Sequence, residues 1–292
     1  MQGWLIVNAF LQKQKFQEIY ELLKNAAKKF DVELTFKTNA ELFDGSALKD
    51  AFVNRPDFVL FWDKDINLAK RLEMLDIPLF NSARAIEICD DKILTALALE
   101  KAGVATPKTL PAPKTFEGVG YTDLRFLYRA EETLGFPMVI KEARGSFGQQ
   151  VYLARTRKDA ETIIQKIGWK DFLMQEYIAE SSGKDVRVNV VGGKVVSAIL
   201  RENLDDFRSN ITGGGTASAY TVTKEQAELA IRACKAAGAE FAGVDVLFGQ
   251  NGKPLVCEIN SNLHFKSSLD CTGIDVSEKI LEHIISVTAG QV

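Results

Sequence analysis

The tightest constraint in this chain is a pair of apolar runs, Gly243–Phe248 and Pro254–Asn260, joined across Asn251-Gly252. Asn-Gly suits a two-residue type I′ hairpin turn, in which both central residues take positive φ. Such a turn pairs residues whose numbers add to 503 and sets Asp245 directly across from Glu258. Their Cβ atoms would lie about 4.5–5.5 Å apart on one face, where like charges repel. Asn260 shares that face, while Val244, Val246, Cys257 and Ile259 point the other way into a core. A face of Asp, Glu and Asn with nothing basic opposite needs a cation. Hard oxygen donors suit Mg²⁺, whose shell substrate phosphates complete. The competing reading is a solvated outer face with a strained charge pair.

The rest of the chain supplies a setting for that hairpin. Strand candidates Trp4–Val7, Val32–Phe36, Phe58–Trp62 and Pro78–Asn81 alternate with helical patterns, such as Phe16–Phe30 with Ile19, Leu22, Leu23 and Ala26 at helical spacing. This alternation predicts a small parallel sheet with flanking helices. A helix over Asp90–Ala102 ends at Gly103 and Pro107, and the proline-rich stretch 107–120 reads as a surface connection. Strands Pro137–Glu142, Val151–Ala154 and Phe172–Tyr177, with a helix at Lys158–Ile167, make a compact α+β unit. Then Val186, Val188 and Val190 alternate with Asp185, Arg187 and Asn189, so one face is apolar and the other carries charge inward. A turn at Gly192-Gly193 leads to Val195–Leu200, and helices Lys224–Ala237 and Val276–Val287 flank the hairpin. The expected class is α/β (α+β), divided as residues 1–90, 91–174 and 175–292.

Composition removes several functions. At 292 residues, 46% hydrophobic and 26% charged, the chain can bury a sizeable core. A net charge of -3 provides no basic field for nucleic acid or an anionic membrane. No apolar run is long enough to span a bilayer, and the Met1–Val7 stretch has no basic residue before it, so it reads as a strand and not a signal peptide. Cys89, Cys234, Cys257 and Cys271 show no CxxC spacing, which fits reduced thiols in a cytoplasmic protein. Only His264 and His283 exist, too far apart for a helical zinc pair, and no GxxxxGK[ST] loop occurs. Ser46-x-x-Lys49 and Ser181-x-x-Lys184 lack the companion motifs that would give SxxK meaning.

Two further segments point toward anions. Pro137-Met-Val-Ile-Lys141 precedes Gly145-Ser146-Phe147-Gly148, a lysine poised at the end of an apolar strand beside glycines that let backbone N–H groups reach phosphate oxygens. Arg201, Asp206-Phe207-Arg208-Ser209-Asn210 and Gly213-Gly214-Gly215 suggest a mobile loop that clamps an anion.

Taken in order, eight elements resemble the ATP-grasp superfamily and, within it, the RimK-type α-L-glutamate ligases. They are Asp91-Lys92, Gly103-Val104-x-Thr106-Pro107, Lys141 with its glycine loop, Gln175-Glu176-Tyr177-Ile178, Gly183-Lys184-Asp185-Val186-Arg187, Asp206–Asn210, Gly243-Val244-Asp245 and Glu258-Ile259-Asn260. The resemblance runs from about Asn81 to the C-terminus. It implies an ATP-grasp fold: an N-terminal parallel α/β domain, a central α+β lid domain and a C-terminal antiparallel-sheet domain.

It also implies roles. Lys92 and Lys141 would touch ATP phosphates beneath a lid that includes Ser146 and Gly148. Gln175, Glu176, Tyr177 and Ile178 would bound the adenine, with Asp185 on the ribose. Arg208, Ser209 and Asn210 would meet the phosphates, and Arg208, Asn210 and Arg201 would serve catalysis. Asp245, Glu258 and Asn260 would hold Mg²⁺, two ions with Mn²⁺ as a substitute. Arg201, Gly214, His264 and Lys266 would face the substrate. The implied reaction is an ADP-forming union of an amino acid with a carboxylate-bearing acceptor through an acylphosphate, with a homo-oligomer allowed and no nucleic-acid or membrane partner.

One departure bears on the acceptor. Ser261-Asn262-Leu263-His264-Phe265-Lys266 stands where the resembled family carries a Ser-Pro-Gly turn. Two alternatives stay open: a ligase for another amino acid or for a peptide side chain, and a non-catalytic ATP-binding regulator.

Overall fold

The computed structural model describes residues 1–45, 53, 55–146 and 148–290, so Ser46, Lys49 and Phe147 lie outside the described residues. The first 80 residues form the expected parallel sheet. Strands β1 (Gln2–Val7), β2 (Glu33–Thr38), β3 (Phe58–Trp62) and β4 (Leu79–Phe80) lie in the order β2-β1-β3-β4. Helix α1 (Gln14–Lys29) buries Ile19, Tyr20, Leu23, Ala26 and Ala27 against it. Helix α2 (Ile66–Glu73) starts where the Asp65 carboxylate accepts from Leu68 N.

The helix expected over Asp90–Ala102 forms as α4 (Lys92–Lys101), and a second helix that was not foreseen, α3 (Ala83–Asp90), precedes it. Asp91 breaks the run because it is extended and caps α4, its carboxylate accepting from Ile93 N and Leu94 N. The 107–120 connection also contains a short strand, β5 (Thr109–Pro111), at the edge of the second sheet. An edge position tolerates a proline that donates nothing. That sheet runs β5-β8-β6-β7, with β6 (Met138–Glu142), β7 (Val151–Ala154) and β8 (Phe172–Glu176) antiparallel. Helices α5 (Phe126–Leu134) and α6 (Arg157–Ile167) bury Leu127, Ala130, Ile164 and Ile167 in its core.

The third sheet is antiparallel, in the order β11-β10-β9-β12-β13: β9 (Lys184–Val191), β10 (Lys194–Glu202), β11 (Thr216–Ala219), β12 (Phe241–Phe248) and β13 (Pro254–Asn260). Val186, Val188, Val190, Val244 and Val246 are fully buried under helix α7 (Lys224–Ala237), whose start is fixed by a Thr223–Gln226 capping box. Helices α8 (Lys266–Thr272) and α9 (Val276–Ala289) close the chain.

The hairpin pairs Asp245 with Glu258 as expected, but by a different route. Lys253 N donates to Gln250 O, and Asn251 and Gly252 both take positive φ, so the Asn-Gly turn forms. Near it, however, the pairs are Phe248–Pro254, Leu247–Leu255 and Val246–Val256, one residue short of the expected register. A bulge at Cys257 restores it before Glu258. The bulge also turns Cys257 away from the core it was expected to enter, toward Lys141.

Two cores cross the residue-90 boundary. Trp62 at the end of β3 stacks on Phe241 with ring centroids 5.7 Å apart, and Phe265, Ile280 and Ile284 pack into the same cluster as Leu5 and Phe58. Cys89 and Leu99 pack instead with the third sheet. Buried Asn81 ties the first sheet to β12 with both ends of its amide: Nδ2 donates to Phe241 O, and Oδ1 accepts from Glu240 N. The parallel and antiparallel sheets are therefore held in fixed relation, with a cavity between them.

Candidate active site

That cavity measures about 660 Å³ and is lined by all three units, a size that suits a nucleotide-sized ligand. Lys141 sits on its wall. Met138, Val139 and Ile140 are buried in the strand, and Lys141 is itself only 8% exposed. It donates to Gln175 Oε1 at 2.7 Å and to Cys257 Sγ at 3.4 Å, and Gln175 Nε2 in turn donates to Thr109 Oγ1. No carboxylate lies within ion-pair distance of Lys141 among the described residues. A buried ammonium with only neutral partners is a waiting anion site. The neighbouring Cys257 thiol is pushed above its usual range by burial, so it stays a neutral acceptor.

Around Lys141 the residues expected at the phosphates line the same cavity. Lys92, the first residue of α4, donates from Nζ to Gly145 O, and its backbone N–H donates to Ala143 O. Arg208 Nη1 donates to Gly148 O at 2.6 Å while its Nε and Nη2 grip Asp206. A Cβ at Gly148 would come within 2.6 Å of Asn210 Oδ1, so only glycine lets the loop approach so closely. Ser146, Ser209 and Asn210 line the same cavity, as do Gln175, Glu176, Tyr177 and Ile178 at and just after the end of β8. Glu176 accepts from Lys108 N, which fixes the end of β8.

The charged face foreseen on β9 forms a buried network. Arg187 Nε and Nη2 each donate to Asp245 at 2.7 Å. Arg201 donates to both oxygens of Asp185 and lies 3.0 Å from Asp245 Oδ2. Burial alone would raise the Asp245 pKa, but Arg187 and Arg201 outweigh it and hold the carboxylate below its ordinary value. Burial would likewise lower that of Arg201, and Asp245 and Asp185 carry it above the usual range.

Three expectations change here. Asp245 does have basic residues opposite, because β9 lies between β12 and β10; it does not line the cavity. Arg201 was expected to grip a substrate carboxylate, but it is 4% exposed and its fork is spent on Asp185. Gly214 is an exposed left-handed turn residue outside the cavity lining. Asp185 lines the cavity with both oxygens engaged by Arg201.

Glu258 and Asn260 do face the cavity. Glu258 takes part in no ion pair among the described residues, and Asn260 Nδ2 is buried without a partner. The amide oxygen and the free carboxylate are hard donors that fit a divalent cation completed by phosphate oxygens. No group of three or more His, Cys, Asp and Glu residues suited to a metal occurs among the described residues, so a metal here would depend on Asn260 and on the bound phosphates.

This arrangement has known counterparts. The family model for a RimK-like ATP-grasp domain matches residues 89–284. The chain belongs to the RimK-like ATP-grasp family. A probable alpha-L-glutamate ligase 1 of Shewanella frigidimarina is 38% identical over 218 residues, 74% of this chain and 69% of that protein. Human N-acetylaspartylglutamate synthase A is 34% identical over 77% of this chain, which spans only 56% of its length. The ATP-grasp architecture is also that of D-alanine–D-alanine ligase from Bacillus anthracis complexed with ATP, at a TM-score of 0.75, 19% identity and coverage of 100% and 99% of the two chains.

His264 and Lys266, expected to face a substrate, both line the cavity, Lys266 pairing with Asp270. Burial, then Lys15 and Arg187, push the His264 pKa down to about 4, so the ring is neutral near pH 7. Asn8, Tyr20, Trp62 and Asp63 also line the cavity and were not foreseen. Asn8 and Asp63 directly follow β1 and β3, at the carboxyl ends of parallel strands where open α/β sheets commonly bind ligands.

Proposed function

We propose that this chain is an ADP-forming carboxylate–amine ligase that joins an amino acid, glutamate first among the candidates, to a carboxylate-bearing acceptor. The observation that carries this is a buried, unpaired Lys141 facing the same cavity as an unpaired Glu258. Cationic and hard-anionic groups so placed suit the two ends of a metal-bound polyphosphate.

The chemistry balances with ATP as co-substrate. A carboxylate oxygen of one substrate attacks the γ-phosphorus and ADP leaves. The amine of the other then attacks the acyl carbon, phosphate leaves, and the amine proton passes to solvent or a nearby base. Lys141 and Lys92 neutralise charge on the transferring phosphoryl, and Arg208 and Asn210 hold the loop that excludes water from it. Glu258 and Asn260 would hold Mg²⁺, which supplies charge neutralisation of the phosphates when bound. Gln175–Ile178 bound the adenine end. The Arg187–Asp245–Arg201–Asp185 network positions the strands that carry these groups.

The test is ADP release from Mg-ATP, screened with single amino acids against small carboxylate and peptide acceptors. Release that depends on both an amino acid and an acceptor supports the ligase. Tight ATP binding without turnover under every pair would make the chain a nucleotide-binding regulator instead.

A further inference from the structure

Among the described residues, Asp63 is the one carboxylate on the first sheet's carboxyl edge that combines deep burial with a place on the cavity wall. It follows β3 directly and is 4% exposed. Its oxygens accept from Asn8 Nδ2 at 3.1 and 3.3 Å, and Oδ1 accepts from its neighbour Lys64 N at 2.7 Å. These are neutral donors. No Lys, Arg or His lies within ion-pair distance of Asp63 among the described residues, and the adjacent Lys64 ammonium is turned away to Asp90 and Ser146.

A buried carboxylate is expensive unless a cation compensates it. Burial accordingly raises the Asp63 pKa, with the Asn8 and Lys64 donors only partly offsetting it. Asp245, the comparably buried carboxylate of the third sheet, has two arginines and shifts the other way. Tyr20 lines the same cavity: it is buried, its hydroxyl makes no hydrogen bond among the described residues, and the Asp63 charge adds to burial in raising its pKa. Trp62, stacked on Phe241, closes the wall next to it. The wall thus offers an uncompensated carboxylate, a free hydroxyl and an apolar surround, while the phosphate side of the cavity is cationic.

We propose that Asp63, with Tyr20 and Asn8, forms a subsite that binds the ammonium group of the amine-bearing substrate. This rests on the ligase reading for the name of that substrate, but not for the existence of the subsite. A protonated amine would supply the missing counter-charge to Asp63 and donate to the Tyr20 hydroxyl. A carboxylate or phosphate would be repelled, which gives the two substrates separate ends of one cavity.

Calorimetry on the full chain, loaded with Mg²⁺ and a non-hydrolysable ATP analogue, tests the subsite without turnover. The probes are the twenty amino acids, putrescine and cadaverine, each tight binder being paired with the same molecule lacking its amino group. At least one amine-bearing probe should bind, and Asp63→Asn should weaken it by about tenfold or more. The matching desamino compound should bind wild type and variant alike, and the nucleotide analogue should move less than about twofold. Asp63→Glu should recover part of the loss, and Tyr20→Phe, which leaves the Asn8 contact intact, should weaken the same probe by a smaller factor.

If no amine-bearing probe binds wild type, or if it binds Asp63→Asn and Tyr20→Phe unchanged, the subsite is wrong. A lowered melting temperature of Asp63→Asn with unchanged probe binding makes Asp63 a tether for Asn8 and also overturns it. Amine binding that needs Asp63 without any ADP release would instead sink the ligase reading and leave the subsite standing.

Discussion

Arg187 holds Asp245 in a two-pronged grip, Nε to Oδ1 and Nη2 to Oδ2, both at 2.7 Å, across neighbouring strands β9 and β12. The side chains are 13% and 6% exposed, so water screens the pair little. Removing Arg187 leaves Asp245 with Arg201 alone, at a cost of up to about 3 kcal/mol, the low end for a broken buried pair. Arg187→Ala should therefore lower unfolding free energy by roughly that amount in urea denaturation at pH 7. The pH dependence has a definite sign. Because the folded Asp245 pKa is depressed, its contribution is complete above the unfolded value of about 3.9 and disappears as pH falls through the folded value. Acid unfolding of Arg187→Ala should begin at higher pH than that of wild type. Equal acid midpoints would show that the grip contributes nothing.

Glu258 differs from Asp245 in having no basic partner among the described residues while facing the cavity. Glu258→Gln keeps the shape and removes the charge, so the fold should persist while turnover falls by about a hundredfold or more. Melting temperature and steady-state ADP release on the same preparation separate the two effects. Activity within about threefold of wild type, well under 1 kcal/mol in barrier, would remove Glu258 from the proposed metal site.

The local rules served best where the signal was local. The alternation of Val186, Val188 and Val190 reported a buried face correctly because the side-chain period of a strand is two. The Asp245–Glu258 pairing was reached through a turn that supplied the wrong register near its tip, and only the bulge at Cys257 brought the two into line. Bulges leave no mark in apolar alternation, so Cys257 was placed in the core and not beside Lys141. The arginines around Asp245 were invisible for another reason: β9 and β12 pair over some 58 residues of sequence, and nothing local reports that neighbour. Asn8 and Asp63 were within reach, since the parallel strands were recognised and their carboxyl ends are common ligand sites.

Lys141 leads to a prediction in which stability and binding move apart. Its ammonium is buried with Gln175 and Cys257 as its only hydrogen-bond partners among the described residues, so without an anion beside it the charge is poorly stabilised. Lys141→Met preserves the stem and removes the charge. The nucleotide-free protein should unfold at the same or a higher urea concentration than wild type, within about 1 kcal/mol. Affinity for Mg-ATP should fall by about tenfold or more, equivalent to 1.4 kcal/mol, measured by calorimetry. A variant that lost stability but bound Mg-ATP normally would make Lys141 a structural cation.

The loop carrying Gly145, Ser146 and Gly148 is held over the cavity chiefly by Arg208, whose Nη1 donates to Gly148 O, and by Lys92, whose Nζ donates to Gly145 O. Phosphate oxygens would compete for the same cations, so the loop should open and re-close as nucleotide binds. Hydrogen exchange at Gly145, Ser146 and Gly148, and across 211–216, should slow with Mg-ATP. Arg208→Ala should abolish that protection at the first loop. Exchange that Mg-ATP leaves unchanged in both segments would rule out a nucleotide-gated lid.

His264 offers a pH test that separates burial from chemistry. Its ring packs edge-on against Phe16 at 5.7 Å, its Nε2 is buried without a partner, and its pKa is pushed down to about 4 by burial, Lys15 and Arg187. A histidine whose folded pKa lies below its unfolded value of about 6.5 stabilises the fold fully above pH 6.5. That contribution is lost progressively as pH falls from about 6.5 to about 4, because the unfolded chain takes the proton more readily. His264→Phe removes the titrating group while keeping an aromatic ring against Phe16. Its stability should vary less with pH between 4 and 6.5 than that of wild type, and it should lose no stability at pH 5 relative to pH 7 from this position. The same variant reports on mechanism, since a neutral ring that accepts a proton from the attacking amine would make its loss lower kcat with little change in the KM for ATP. Parallel stability curves for the two proteins from pH 4 to 6.5 would show that the ring titrates freely, and with it the case for a neutral base at this position would fail.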